Sequence, residues 1–172
     1  LYSASDISVW DTEHIEQHPF LQRIGPDILN PNLTWREIAD RLNSKAFSGR
    51  ALNSVYLDQA FLAGLGNYLR SEILFVAGIH PSRKARDLTR GQIGKLARAT
   101  LEISQRSYAL QGVTIPERRY NALKKKGLSY GKARFFVFSR ARQPCHICRT
   151  KIERSIANSR RIYTCAGCQS ED

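Results

Sequence analysis

Four cysteines constrain this chain more than any other feature: Cys145-His146-Ile147-Cys148 and, after sixteen residues, Cys165-Ala166-Gly167-Cys168. No other cysteine occurs in the sequence, and two Cys-x-x-Cys pairs at this separation have the spacing of a four-thiolate zinc site. Each pair presents two sulfurs from a tight turn, and the segment between them is long enough to run out and back as a β-hairpin. One structural zinc held by Cys145, Cys148, Cys165 and Cys168 is therefore expected. The alternatives are four unrelated thiols or two disulfides, and adjacent Cys-x-x-Cys disulfides are uncommon as purely structural links. His146 is able to replace one ligand, but with four cysteines present it is expected as a solvated loop residue.

Charge is informative because of where it sits. The 172 residues carry a net charge of +12. Between Pro116 and Arg161 there are 14 Lys or Arg against 2 acids, Glu117 and Glu153, and the other residues hold 13 of each sign. All the excess positive charge lies in the segment that runs into the cysteine module, which points to a polyanionic partner. The alternative is a merely solvated basic surface. A hydrophobic content of 42% suffices for a core of one or two domains. No apolar run approaches the roughly 18 residues needed to span a bilayer, so a soluble, intracellular protein without membrane association is expected. The chain begins Leu1-Tyr2-Ser3 and contains no methionine, so the expectation is a fragment or processed product.

Along the chain, Leu1 to Asp6 reads as the end of a strand, and His14 and His18 are expected to be exposed. Gly25-Pro26-Asp27 predicts a turn. Thr34 with Glu37 three residues on has the capping-box pattern, followed by Trp35, Ile38, Ala39 and Leu42 at helical spacing. A second helix is predicted over 51–63 and a third through Tyr68, Leu69, Ile73, Leu74 and Ala77, joined at Gly64-Leu65-Gly66-Asn67 as a helix-turn-helix unit. Gly64 suits a left-handed helix end and Asn67 the cap of the next helix, a geometry that aims free N–H groups at a phosphate, although by itself the turn reads equally as plain punctuation between helices. Another helix begins near Leu88-Thr89-Arg90 and ends near Gly112. Residues 113–132 show no clear period, and Lys124-Lys125-Lys126-Gly127 reads as an exposed basic loop. Residues 133–140, rich in aromatic and branched side chains, read as a strand. Inside the cysteine module, Ala157-Asn158-Ser159-Arg160 falls at the hairpin turn, which places Arg160 and Arg161 at or beside the tip of a metal-clamped ribbon.

Several of these stretches resemble a known family. Asp58-Gln59, Gly64-Leu65-Gly66-Asn67-Tyr68, Glu72-Ile73-Leu74 and the terminal four-cysteine hairpin are similar to the C-terminal half of formamidopyrimidine-DNA glycosylase and endonuclease VIII. His18-Pro19-Phe20-Leu21-Gln22-Arg23-Ile24-Gly25-Pro26-Asp27 and the run from Asp58 to Arg70 resemble the endonuclease VIII branch more closely. The segment 113–132 is longer than usual for that branch. The resemblance implies a mainly α fold, a helix-two-turn-helix domain over 21–132 followed by a strand and small β zinc hairpin over 133–172, with 1–20 as a linker from an N-terminal β-sandwich. It implies damaged double-stranded DNA as partner, a monomer at the nucleoid in the cytoplasm, and DNA-backbone contacts at Asn67 and Arg160. Gly64 and Gly66 enter through the same turn, and Arg161 only through its neighbour.

The family nucleophile is an amino-terminal proline followed by glutamate, within a sandwich that also supplies a lysine. None of these is found in this chain at the family's positions. The expectation is therefore a DNA-binding part of a base-excision-repair glycosylase and abasic-site lyase for oxidised bases, chiefly pyrimidines, without catalytic residues of its own. The competing reading is a non-catalytic zinc-ribbon nucleic-acid-binding protein; the turn from Gly64 to Asn67 separates the two.

Overall fold

A computed structural model describes residues 8–170; the strand end read into Leu1 to Asp6 lies outside them. The described chain is mostly helical with one two-stranded antiparallel hairpin. Helix α1, Trp35–Asn43, starts at the predicted capping box: the Thr34 hydroxyl accepts the Glu37 N–H at 3.3 Å, and the Glu37 carboxylate accepts the Thr34 N–H at 2.7 Å. It buries Ile38, Ala39 and Leu42.

The helix predicted over 51–63 is one turn only, α2, Leu52–Val55. Beyond it the chain continues in tight turns, and the Asp58 side chain accepts the Ala60 N–H at 2.9 Å, which offers the backbone a turn in place of a helical bond. Gln59 then fixes the next turn, accepting from the Gly64 N–H and donating to the Leu65 carbonyl. Gly25 and Pro26 are not a turn but an extended segment laid against this stretch. Gly25 donates to the Gln59 carbonyl, and Ala63 and residues 26–28 exchange two further bonds. A Cβ on Gly25 would stand 2.6 Å from the Ala60 and Phe61 carbonyl oxygens, so the approach requires glycine. The turn starts one step later, where Asn30 donates to the Asp27 carbonyl.

Helix α3, Asn67–Ala77, is buried along most of its length and ends as predicted at Gly78, whose φ of 70° permits the Ile79 N–H to reach the Leu74 carbonyl. Helix α4, Arg90–Ala109, has a second capping box between Thr89 and Gln92. Gly112, at φ 96°, turns the chain out of it by donating to the Ser107 carbonyl. Helices α1, α3 and α4 enclose the first core, in which Ile38, Leu42, Leu52, Phe61, Leu74, Leu96 and Ile103 are buried.

The region 113–132 is not a structureless basic loop. It holds α5, Glu117–Lys125, and α6, Tyr130–Ala133, so Lys124 and Lys125 are helical and only Lys126 and Gly127 lie in the exit turn. The strand predicted over 133–140 is absent too. Its backbone has no strand partner; instead the buried Glu72 carboxylate accepts the N–H groups of Phe136, Val137 and Phe138, each at 2.8 Å, and the Thr114 hydroxyl. Freed from a pleat, the aromatic rings take partners from other elements, Phe136 on Phe75, Phe135 on Tyr68 and Phe138 on Tyr163, while Phe135 and Phe138 also pack edge-on to each other. Phe75, Phe136 and Tyr163, with Phe138 packed against them, form a second core with Val113, Ile115, Ile152 and the buried Cys145 and Cys165. Helix α3 therefore serves both cores, Leu74 on one side and Phe75 on the other.

Strands β1, Glu153–Ala157, and β2, Arg160–Thr164, pair in the register Ala157↔Arg160. The two-residue connection is Asn158-Ser159, with φ of 53° and 58°. Positive φ at both central positions is the primed turn whose twist matches paired strands.

Candidate nucleic-acid interface and metal centre

The four cysteine sulfurs lie within 4.8 Å of one another. Cys148 Sγ is 3.3 Å from Cys165 Sγ and 3.4 Å from Cys168 Sγ, and Cys145 Sγ is 3.9 Å from Cys168 Sγ. A tetrahedral ion with metal–sulfur bonds of about 2.3 Å needs sulfurs roughly 3.8 Å apart, so the donor set and its size fit one metal ion. Both pairs sit on knuckles whose backbone folds back on the first cysteine: Ile147 N–H points at Cys145 Sγ, and Cys168 N–H donates to the Cys165 carbonyl. Gly167 is required here, since a Cβ would meet Thr150 Oγ1 at 2.6 Å and Cys148 Sγ at 3.0 Å. Hydrogen bonds from Thr150 pull the Cys148 thiol down to about 6, while burial pushes Cys165 up to about 11 and Cys168 higher still. A bound cation would hold all four as thiolates.

Gln169 ties the second knuckle to the helical part. Its Oε1 accepts the Cys165 N–H and its Nε2 donates to the Ile79 carbonyl just beyond α3. His146 is not the solvated residue expected. It is half-buried, its carbonyl accepts from Arg119, and burial with neighbouring Arg140 and Arg119 lowers its ring to about 4, leaving a neutral imidazole outside the sulfur cluster.

The turn before α3 and the hairpin tip meet. Gly64 adopts φ 88°, as predicted, although as part of a loop rather than a helix end. Gly66, not Asn67, is the residue flanking α3; a Cβ on it would meet nothing within 4 Å, so its outer face is open. Among the described residues, no protein acceptor takes the N–H of Gly66, Asn67 or Tyr68. Asn67 is the first residue of α3, and its side chain bridges rather than caps: Nδ2 donates to the Arg161 carbonyl at 3.0 Å, and Oδ1 accepts from Arg70 at 2.7 Å. On the other side of the tip, Asn158 Nδ2 donates to Ser54 Oγ at 2.7 Å.

Arg70 is the residue that sequence reasoning missed. It is fully buried, yet its guanidinium meets only neutral acceptors, Asn67 Oδ1 and the carbonyls of Asn53, Arg161 and Ala157. Burial and the nearby Arg160 lower it to about 10, so it stays charged at neutral pH. Its one sequence signal is a cation two residues before the acid Glu72 in a largely apolar helix. Arg160 and Arg161 are exposed at the start of β2. The result is the buried Arg70 guanidinium with Arg160 near it, beside open helix-start N–H groups, a combination that binds oxyanions.

Comparison with known proteins follows the same outline. The model of the formamidopyrimidine-DNA glycosylase H2TH domain matches residues 24–118. Endonuclease 8 of Escherichia coli (strain K12 / DH10B) is 47% identical over 169 residues, covering 98% of this chain and 61% of that protein. Endonuclease 8 of Shigella sonnei (strain Ss046) is 46% identical with the same coverage. The chain thus spans 61% of the length of these curated relatives. Among solved structures, MutM (Fpg) from Thermus thermophilus superposes with a TM-score of 0.71 at 31% identity, covering 91% of this chain and 57% of that one. Lactococcus lactis Fpg in complex with abasic-site DNA gives a TM-score of 0.73 at 25% identity, covering 93% and 56%.

Proposed function

The chain belongs to the formamidopyrimidine-DNA glycosylase family, and from that premise we propose that it grips damaged duplex DNA for a base-excision-repair glycosylase and abasic-site lyase of endonuclease 8 type. The observation that carries this is the Asn67–Arg70–Arg161 linkage, which joins the glycine turn and the hairpin tip into one cationic surface. A phosphate there takes the free N–H groups at the start of α3, the second Nδ2 hydrogen of Asn67, and the Arg160 guanidinium. Gly64 sets the turn and Gly66 keeps it open to the backbone; Arg161 adds charge beside Arg160. Zinc is the ion proposed for the four thiolates, and when bound it fixes the hairpin that carries Arg160. Oxidised pyrimidines are the proposed lesions.

The family chemistry is attack on the sugar C1′ by a proline secondary amine, loss of the base, and strand cleavage through a Schiff base. The Pro-Glu pair in this sequence, Pro116-Glu117, has its proline nitrogen in an internal amide, which has no lone pair free to attack. On this reading the 172-residue chain binds abasic DNA without cleaving it. Borohydride treatment of the chain with an abasic duplex, beside a gel-shift titration, tests this. Retarded but uncrosslinked DNA is expected; efficient covalent capture would place a reactive amine in this chain and overturn the assignment.

A further inference from the structure

A second cationic site lies between α1 and the start of α4, in elements that carry neither the glycine turn nor the hairpin. A cavity of about 540 Å³ opens there, with Trp35, Ala39 and Ile93 as its apolar lining and Arg36, Arg90 and Arg98 as its charged lining. The guanidinium carbons of Arg36 and Arg98 each stand 4.6 Å from the centre of the Trp35 ring, which holds both in place by cation–π attraction. Among the described residues none of the three arginines has a carboxylate within ion-pair distance, although Asp40 also lines the cavity.

Two features of the start of α4 shape this space. Arg90 is its first residue, where the positive end of the helix dipole opposes a cation, and no acid stands in that turn to offset it. Gly91 and Gly94 both fall in the first two turns of the helix, where glycine is disfavoured. At Gly94 a Cβ would lie 3.3 Å from an Arg98 nitrogen, so the glycine leaves Arg98 room to lie over the cavity.

We propose that this cavity docks an acidic peptide segment of a partner protein, its carboxylates on the arginines and one apolar side chain against the half-buried Trp35. Unpaired cations call for an anion, and guanidinium forks match carboxylates. Trp35, half-buried where Ala39 and Ile93 are buried, favours a peptide: an apolar side chain beside the carboxylates can pack on it, and a lone oxyanion would leave it uncovered. The site is independent of the DNA surface, so each can fail without the other.

The test uses the full chain with Trp10→Phe, leaving Trp35 as the reporting indole. Its fluorescence is titrated with a pentapeptide of one phenylalanine flanked by two aspartates on each side, with the same peptide carrying serine for phenylalanine, and with inorganic phosphate. Saturable binding of the phenylalanine peptide is expected, with the serine peptide and phosphate weaker by about tenfold or more. The exposed pair Arg90→Gln and Arg98→Gln, checked by thermal melting, should weaken the peptide about tenfold and change duplex DNA affinity by less than about twofold. No saturation at millimolar peptide, equal binding of serine peptide or phosphate, or a parallel loss of DNA affinity would each overturn the proposal.

Discussion

Glu72 shows how a single residue sets the relation between the two cores. It is fully buried on α3, and all four of its partners are donors: three consecutive backbone N–H groups and the Thr114 hydroxyl. Burial pushes its carboxyl up, and those donors pull the other way. Glu72→Gln keeps the shape but turns an NH₂ group toward N–H donors, leaving one or two of them unsatisfied. A loss of about 3 kcal/mol is expected, read as a fall in melting temperature of roughly 10 °C; an unchanged melt would show that the nest contributes nothing. This role was not legible in the sequence, where Glu72 is one acid in an apolar run. Arg70 was hidden for the same reason, since its acceptors come from positions 53, 67, 157 and 161. Thr34 and Gly64 were legible because a cap and a left-handed turn depend on neighbours within a few residues.

At the level of elements, the hairpin was readable and the segment before it was not. Cys-x-x-Cys spacing and the Asn158-Ser159 turn are local codes, and both appear as expected. The aromatic run over 135–138 has the composition of a strand, but composition cannot reveal that a carboxylate from a distant helix will take its N–H groups. Helix α5 was obscured because its apolar contacts come chiefly from Tyr120 and Leu123 amid basic residues, too few to give a visible period. The hairpin itself spans only five residues per strand and a ribbon so small depends on the metal clamp. Elemental analysis should give one zinc per chain. A strong chelator, or Cys165→Ser, should abolish the metal and lower DNA affinity while the α-helical circular dichroism is largely retained; full DNA affinity without metal would contradict the clamp.

In the whole molecule, α3 is the common wall: one face closes the helical core, the other closes the core shared with the cysteine module, and its first turn meets the hairpin tip. That arrangement converts residues 94 positions apart into one surface, and it is why the excess charge in the last third of the chain can act together with a glycine turn in the first half. Among the described residues no helix is long and apolar enough to cross a membrane. On the proposed reading, Asn67 and Arg160 meet the same DNA backbone by different means, one through neutral hydrogen bonds and one through charge. The most direct measurement is a titration of duplex DNA at several salt concentrations with the wild-type chain, Asn67→Ala and Arg160→Ala, each checked by thermal melting. Both variants should bind more weakly. Only Arg160→Ala should flatten the log–log salt dependence, by roughly one unit. Two variants that melt normally and bind with wild-type affinity and slope would contradict the account.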